Sequence, residues 1–288
     1  MSPSRTDRRL FALLLCSAVL ATSILLLVVG FLLIQAWPAF TGIGVLRLLG
    51  DPRWSPADQA AAGEFGLMPM LIGSLLVTGG AVALAAPLGI LCAIYCRHLA
   101  PPLIASAFRK MIGLLAGVPS VVFGFWGLVV LVPILAAIQM PGASLLAGIL
   151  ILALMILPTI TLFADSALQA VPAAVNNAAV ALGLSRWRQI LQVALPAAAG
   201  GIKAGVVLGV ARATGETLTV LMVCGNVVQV PMSLFDPVRT LTANIALEMA
   251  YAYADHRAAL FASGLLLTLV VIAIMAPLDL RRSMAAHD

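Results

Sequence analysis

Six apolar runs, each long enough to cross a bilayer, decide what this chain can fold into. They lie near Leu10–Trp37, Leu67–Tyr95, Met111–Ala137, Ser144–Leu168, Gly201–Cys224 and Ala258–Leu280. A helix rises 1.5 Å per residue, so about 20 residues span the roughly 30 Å of hydrocarbon in a membrane. Backbone polar groups find no water at that depth, which leaves helices or closed barrels as spanning structures. Barrel strands would alternate over about ten residues, whereas these runs are continuous and rich in Leu, Ala and Gly. The chain therefore reads as all-α, a polytopic membrane helix bundle of about six transmembrane helices. A residue composition that is 62% hydrophobic and 9% charged, with a mean hydropathy of +1.13, leaves too little polar surface to clothe a soluble globule. The first run exceeds the roughly 7–15 apolar residues of a signal peptide, so it is expected to remain as a span.

Six spans put both termini, and the connections after the second and fourth, on one face. Arg5, Arg8, Arg9, Arg97, Arg109, Lys110, Arg186, Arg188, Lys203, Arg281 and Arg282 fall there, against Arg47, Arg53, Arg239 and Arg257 on the other. That bias predicts cytoplasmic termini. Residues 1–9 read as a short cytoplasmic tail and residues 10–288 as one transmembrane domain. The net charge of +5 then reflects topology and contact with anionic headgroups of the lipid bilayer, and no nucleic-acid partner is expected. Cys16, Cys92, Cys96 and Cys224 sit in or beside spans, outside any disulfide framework. Cys92 and Cys96 share a helical face without a histidine, and read as small packing residues. No cofactor or metal is called for.

Several local signals shape the spans and loops. After Pro38 an external loop carries turn residues from Asp51 to Pro56 and then an Ala-rich, helix-forming stretch from Asp58 to Glu64. Trp37 and Trp54 suit the half-wet membrane interface. In span three, Gly113 and Gly117 share a face that admits another helix closely, while Pro119 frees a carbonyl one turn earlier. That span is either a packing device or a kinked wall of a translocation path with Ser120 facing it. Asp236-Pro237 is expected to cap and open a helix through Thr240, Leu241, Ile245 and Met249. Such a helix either lies along the outer rim or offers a docking surface to an external protein.

Between spans four and five runs a segment too polar for the bilayer core, at about residues 169–200. Pro172 fits a first helical turn, Ala173 to Leu182 propagates well, and Gly183 supplies a stop with positive φ. Ser185 can cap a second short helix bearing Arg186, Trp187 and Arg188. Asn177-Ala178-Ala179 is followed after three residues by Gly183, and further on by Val193-Ala194-Leu195-Pro196. This spacing resembles the loop by which ATP-binding-cassette importer permeases engage a separate ATPase, with Asn177 standing where that family usually has Glu. The small Ala178 and Ala179 are expected to leave a flat surface that enters the partner's groove.

Span five contains Ala211-Arg212-Ala213-Thr214-Gly215-Glu216-Thr217, with the two ionisable residues four apart on one helical face. A lone charge at mid-membrane costs about 2.5–3.5 kcal/mol on insertion scales, so each should face a cavity or a partner. Either the two neutralise each other and pin the bundle, or Arg212 is a transient anion contact that Glu216 satisfies when no anion is present. A guanidinium offers a fork of donors to a tetrahedral oxyanion. Thr214, Thr217 and Thr219 can add neutral donors.

Taken together, the hairpin motif, Leu115 to Gly124, Ala211 to Glu216 and Val220 to Asn226 resemble a phosphate-specific ABC importer permease, from about Leu67 to the C-terminus. The resemblance implies an inner-membrane subunit paired with a sister permease as a heterodimer. It further implies two copies of a cytoplasmic ATP-binding subunit, an external phosphate-binding protein and phosphate as substrate. Arg212, Glu216, Thr214, Thr217 and Ser120 become substrate-path candidates. Asn177, Ala178, Ala179, Gly183, Leu195 and Pro196 become the ATPase coupling element.

No Gly-x-x-x-x-Gly-Lys-Ser/Thr run is present, so energy must come from a partner or an ion gradient, and the chain reads as a transporter subunit without an ATP site of its own. A gradient-driven carrier using Glu216 is one alternative, although the hairpin argues for an ATPase. Sulfate or molybdate would satisfy the same residue chemistry as phosphate. His98, His256 and His287 lie outside the spans, which excludes a Ser-His hydrolase at membrane depth.

Overall fold

The protein is described by a computed structural model over residues 5–56 and 64–285, with side chains described for 10–56 and 64–276. Among these residues are six helical stretches long and apolar enough to cross a membrane: Leu10–Gly42, Met68–Leu99, Ser120–Ile138, Leu145–Gln169, Arg186–Thr214 and Ala254–Ala276. The chain is a multi-pass, all-α membrane protein. Of the run from Asp58 to Glu64 expected to form a helix, all but Glu64 lies outside the described residues, and Glu64 belongs to a strand.

Helix α1 (Arg5–Gly42) is one long Leu-rich rod. It packs on the last helix, with Phe31 and Phe261 edge to face at 5.6 Å, and leaves most of its other side chains exposed. Gly44, at φ 90°, turns the chain into the short α2 (Val45–Gly50). Strands β1 (Trp54–Ser55) and β2 (Glu64–Phe65) pair antiparallel as a small two-stranded sheet. Helix α3 (Met68–Ile94) continues through a π turn over Tyr95–Leu99.

The third span departs from the expected single kinked helix. Helix α4 (Pro102–Ala116) stops, and Pro119 sits as the N-cap of α5 (Ser120–Trp126), which runs through a π turn at Gly127–Leu131 into α6 (Val132–Ile138). Proline lacks the donor that would carry the helical ladder through this point, so the chain restarts there. Gly113, expected to admit a neighbouring helix, has no heavy atom within 4 Å of where its Cβ would be. Close approach occurs instead at Gly124, where a Cβ would lie 2.9 Å from the Thr219 Cα.

Helix α7 (Leu145–Gln169), capped by Ser144 through the Ala147 amide, is the central post. Its buried residues meet α3, α4 and the following long helix. Next come α8 (Ala173–Ala181), α9 (Arg186–Arg188), a π turn at Gln189–Ala194 and α10 (Leu195–Thr214). Arg186 to Thr214 is one helical rod, so the helix that carries the fifth span begins well before the expected Gly201. The π turn lies just ahead of Pro196, where the missing amide unsettles an α-helical ladder. Gly205 lets α10 approach α7, since a Cβ there would come within 2.5 Å of the Phe163 Cβ.

The chain finishes with α11 (Leu218–Val223), α12 (Leu241–Glu248) and α13 (Ala254–Ala285). Helix α12 starts later than expected, because Thr240 is its cap, accepting from the Ala243 amide at 3.2 Å. Asp236 instead accepts the Met232 and Ser233 amides at 2.8 and 2.9 Å, closing a turn in the loop before it. Val238 then bridges Gly225 in parallel, two extended residues ahead of the cap.

Candidate functional site

Two broken helices meet in the interior of the bundle. The α10 rod ends at Thr214, Gly215 to Thr217 interrupts it, and α11 restarts at Leu218. The α4–α5 break at Gly117 to Pro119 lies against it. The Thr219 hydroxyl, 3.0 Å from the Ser120 carbonyl oxygen and 2.9 Å from Glu216 Oε1, shares its one proton between them. The Thr219 amide donates to the same carboxylate oxygen at 3.2 Å. Irregular backbone at membrane depth is tolerated where it lines a cavity or is buried in protein, and it marks the working region of many transporters.

The interruption corrects the expected ion pair. Arg212 and Glu216 are four apart in sequence, but no continuous helix carries both. Arg212 lies in the last turn of α10, where a cation suits the helix dipole, and Nη1 donates to Thr159 Oγ1 on α7 at 3.2 Å. Among the described residues no carboxylate lies within salt-bridge distance of Arg212. Glu216 is held by Thr219 instead. Its backbone carbonyl accepts from the Thr242 hydroxyl at 2.7 Å, which ties the break to α12.

The other path candidates are less free than their residue types suggest. Thr214 is buried and its hydroxyl donates back to the Val210 carbonyl at 2.8 Å. Thr217 donates to the Gly215 carbonyl at 3.4 Å. Ser120 begins α5 beside the break and is half-buried. Thr159 was missed from the sequence, although a polar residue after Pro158 inside an apolar span was a usable signal.

At the end of the bundle that carries the β1–β2 hairpin, sequence reasoning missed a second polar cluster. Glu248, on the last turn of α12, accepts from Arg239 Nη1 at 2.6 Å and from the Trp54 indole at 2.8 Å, and lies 2.9 Å from His256 Nε2. Arg239 Nε also donates to the Asn226 carbonyl at 2.8 Å, and its Nη1 to Asn244 Oδ1 at 3.1 Å. Trp54 therefore serves as a partly buried strut rather than the interfacial anchor expected.

The hairpin at the opposite end follows the expected local pattern closely. Gly183 has φ 69°, the Gly183 amide donates to the Val180 carbonyl at 2.9 Å, and the Leu184 amide donates to the Ala179 carbonyl at 3.2 Å. This pair of bonds is a Schellman stop. Ile190, Ala194 and Ala198 pack on Ala93, Leu168 and Val171, which anchors the hairpin to the ends of α3 and α7. Asn177, Ala178, Gly183 and Pro196 are exposed and Leu195 is half-buried. Ala179 is only 3% exposed, so it belongs to the hairpin's own core and not to the flat outer surface expected of it. Ser185 occupies the cap position of α9 without a side-chain cap bond. Beside the hairpin, Arg109 grips Asp165 through two bonds of 2.8 and 3.1 Å. That hydrogen bonding raises Arg109 above the ordinary guanidinium value, so it stays charged while joining α4 to α7.

Broken helices around an unpaired arginine, inside a multi-pass bundle with a packed hairpin at one end, define a membrane permease. Residues 85–281 match the family of binding-protein-dependent transport system inner membrane components, and the chain belongs to that family. It is 40% identical over 242 residues to the probable ABC transporter permease protein YqgH of Bacillus subtilis (strain 168), covering 83% of this chain and 76% of that relative. It is 32% identical over 293 residues to the phosphate transport system permease protein PstC of Mesorhizobium japonicum, covering 94% and 88%. A chain of a bacterial alginate ABC transporter, in complex with its pentasaccharide-bound periplasmic protein, superposes with a TM-score of 0.64 at 16% identity, covering 92% of each chain. That likeness concerns the fold alone.

Proposed function

We propose that this chain is a transmembrane subunit of an ATP-driven importer of inorganic phosphate in a bacterial inner membrane, with its termini and hairpin in the cytoplasm. A sister permease completes the translocation path. An external phosphate-binding protein delivers the anion, and two copies of a cytoplasmic ATPase grip the segment from Asn177 to Pro196. The chain supplies no ATP-binding loop of its own, so hydrolysis belongs to those partners.

The observation that carries this reading is Arg212, a permanently charged guanidinium at a helix break whose partner is the Thr159 hydroxyl. Its remaining donors suit two oxygens of a tetrahedral oxyanion. A neutral hydroxyl gives up the arginine more easily than a carboxylate would, and transport requires release as well as capture. Glu216, fixed by Thr219, puts an acidic side chain at the same break, which opposes tight retention of an anion there. Similarity to relatives named as phosphate transport permeases supports phosphate over other oxyanions.

The test is uptake of labelled phosphate by a strain lacking this chain and then supplied with it, with sulfate and molybdate as competitors. Restored uptake that excess sulfate and molybdate leave intact is expected. Failure to restore uptake, or equal competition by sulfate, overturns the reading.

A further inference from the structure

A cavity of about 390 Å³ lies between the hairpin and the end of α3, walled by Arg97, His98, Asn176, Asn177, Arg186 and Gln189. Among the described residues no carboxylate lines it, and neither Arg97 nor Arg186 makes a salt bridge. Arg186 donates to the His98 carbonyl, which fixes one guanidinium at the cavity wall. His98 Nε2 is enclosed and has no hydrogen-bond partner. The amides of Asn177 and Gln189 are neutral. In the importer loops that this hairpin resembles, a Glu at the position of Asn177 would bring a carboxylate to these arginines from within the chain.

We infer that this cavity receives a carboxylate side chain from the ATPase, so that the charge at this contact runs from permease cation to ATPase anion. The inference rests on the reading of the hairpin as the ATPase contact. When a partner covers the hairpin, water leaves Arg97 and Arg186. Two cations stranded in a dry interface are strongly destabilising unless an anion meets them. Among the described residues no acid is placed to do so, and the partner supplies it. An Asn at 177 keeps the cavity open for that group, where a Glu would fill it with an internal competitor.

The experiment measures how tightly the ATPase subunit that co-purifies with the full permease complex rebinds after it is stripped off, as a function of salt. Asn177→Glu should weaken rebinding by about tenfold, since one displaced charge contact of about 1.4 kcal/mol corresponds to that factor. Arg97→Gln should weaken it by a similar factor and flatten the salt dependence. Among the described residues the Arg97 side chain makes no ion pair, so its loss keeps the test meaningful even if Arg186 variants misfold. Tighter or unchanged binding by Asn177→Glu, or indifference to Arg97→Gln, overturns the inference. If the wild-type complex holds no ATPase at all, the functional reading itself fails, which is a different result.

Discussion

The separation of Arg212 from Glu216 can be tested by a cycle of three variants. Replacing Arg212 by Gln removes a charged donor from the anion while leaving an amide that can still reach Thr159. A hydrogen bond to a charged group contributes about 1.5–3 kcal/mol, so transport should fall about 10- to 150-fold at 1.36 kcal/mol per factor of ten. Glu216→Gln keeps an acceptor for the Thr219 amide and hydroxyl and loses only the charge, about 0.5–1.5 kcal/mol or 2- to 10-fold. Arg212 and Glu216 share no hydrogen-bond partner, so the losses should combine with little coupling. The double variant is then at least as slow as Arg212→Gln alone. The assay is initial uptake of labelled phosphate, with co-purification of the sister subunit as the measure of assembly. Near wild-type uptake by the double variant would mean that the two residues merely neutralise each other, and would refute the role given to Arg212.

Three further outcomes follow from the geometry. In a cysteine-free background, cysteines at the exposed Ser185 and Ser233 should differ, with Ser233 labelled by an impermeant maleimide on intact cells and Ser185 not; equal labelling contradicts the orientation. Gly183→Val places a β-branched residue at φ 69°, costing about 1–2 kcal/mol locally, and should cut ATPase co-purification while the protein still reaches the membrane. Ala179→Asp buries a charge in the hairpin's own core and should raise protease cleavage there, whereas Ala178→Asp on the exposed side should leave cleavage unchanged and weaken only ATPase binding; identical behaviour of the two would contradict the different burial of these neighbours.

Spans were legible because twenty consecutive apolar residues admit few other fates. The hairpin stop was legible because positive φ at Gly183 is a property of the local backbone. The breaks at Gly117–Pro119 and Gly215–Thr217 were not, because hydropathy averages over a window and assumes that the helix inside it continues. That assumption produced the Arg212–Glu216 pair. It failed because Glu216 found Thr219 and Arg212 found Thr159, the latter 53 positions away in sequence. The Glu248 cluster was out of reach for the same reason in stronger form, since Trp54 and Glu248 are 194 positions apart. Ala179 shows the limit of motif spacing, which marks where a loop lies but not which side of each residue faces inward.

Helix α12 is joined at both ends to things far apart in the chain. Near its start, Thr242 holds the Glu216 carbonyl; at its finish, Glu248 holds the Trp54 indole of the β1–β2 hairpin, together with Arg239 and His256. Eight residues of helix make a stiff rod of about 12 Å, and Leu241 to Asn244 are buried with no slack around them. The β1–β2 hairpin and the backbone of the broken helix are therefore tied to the same rod. One short helix thus joins the backbone at Glu216 to the β1–β2 hairpin, so that moving either one would pull directly on the other.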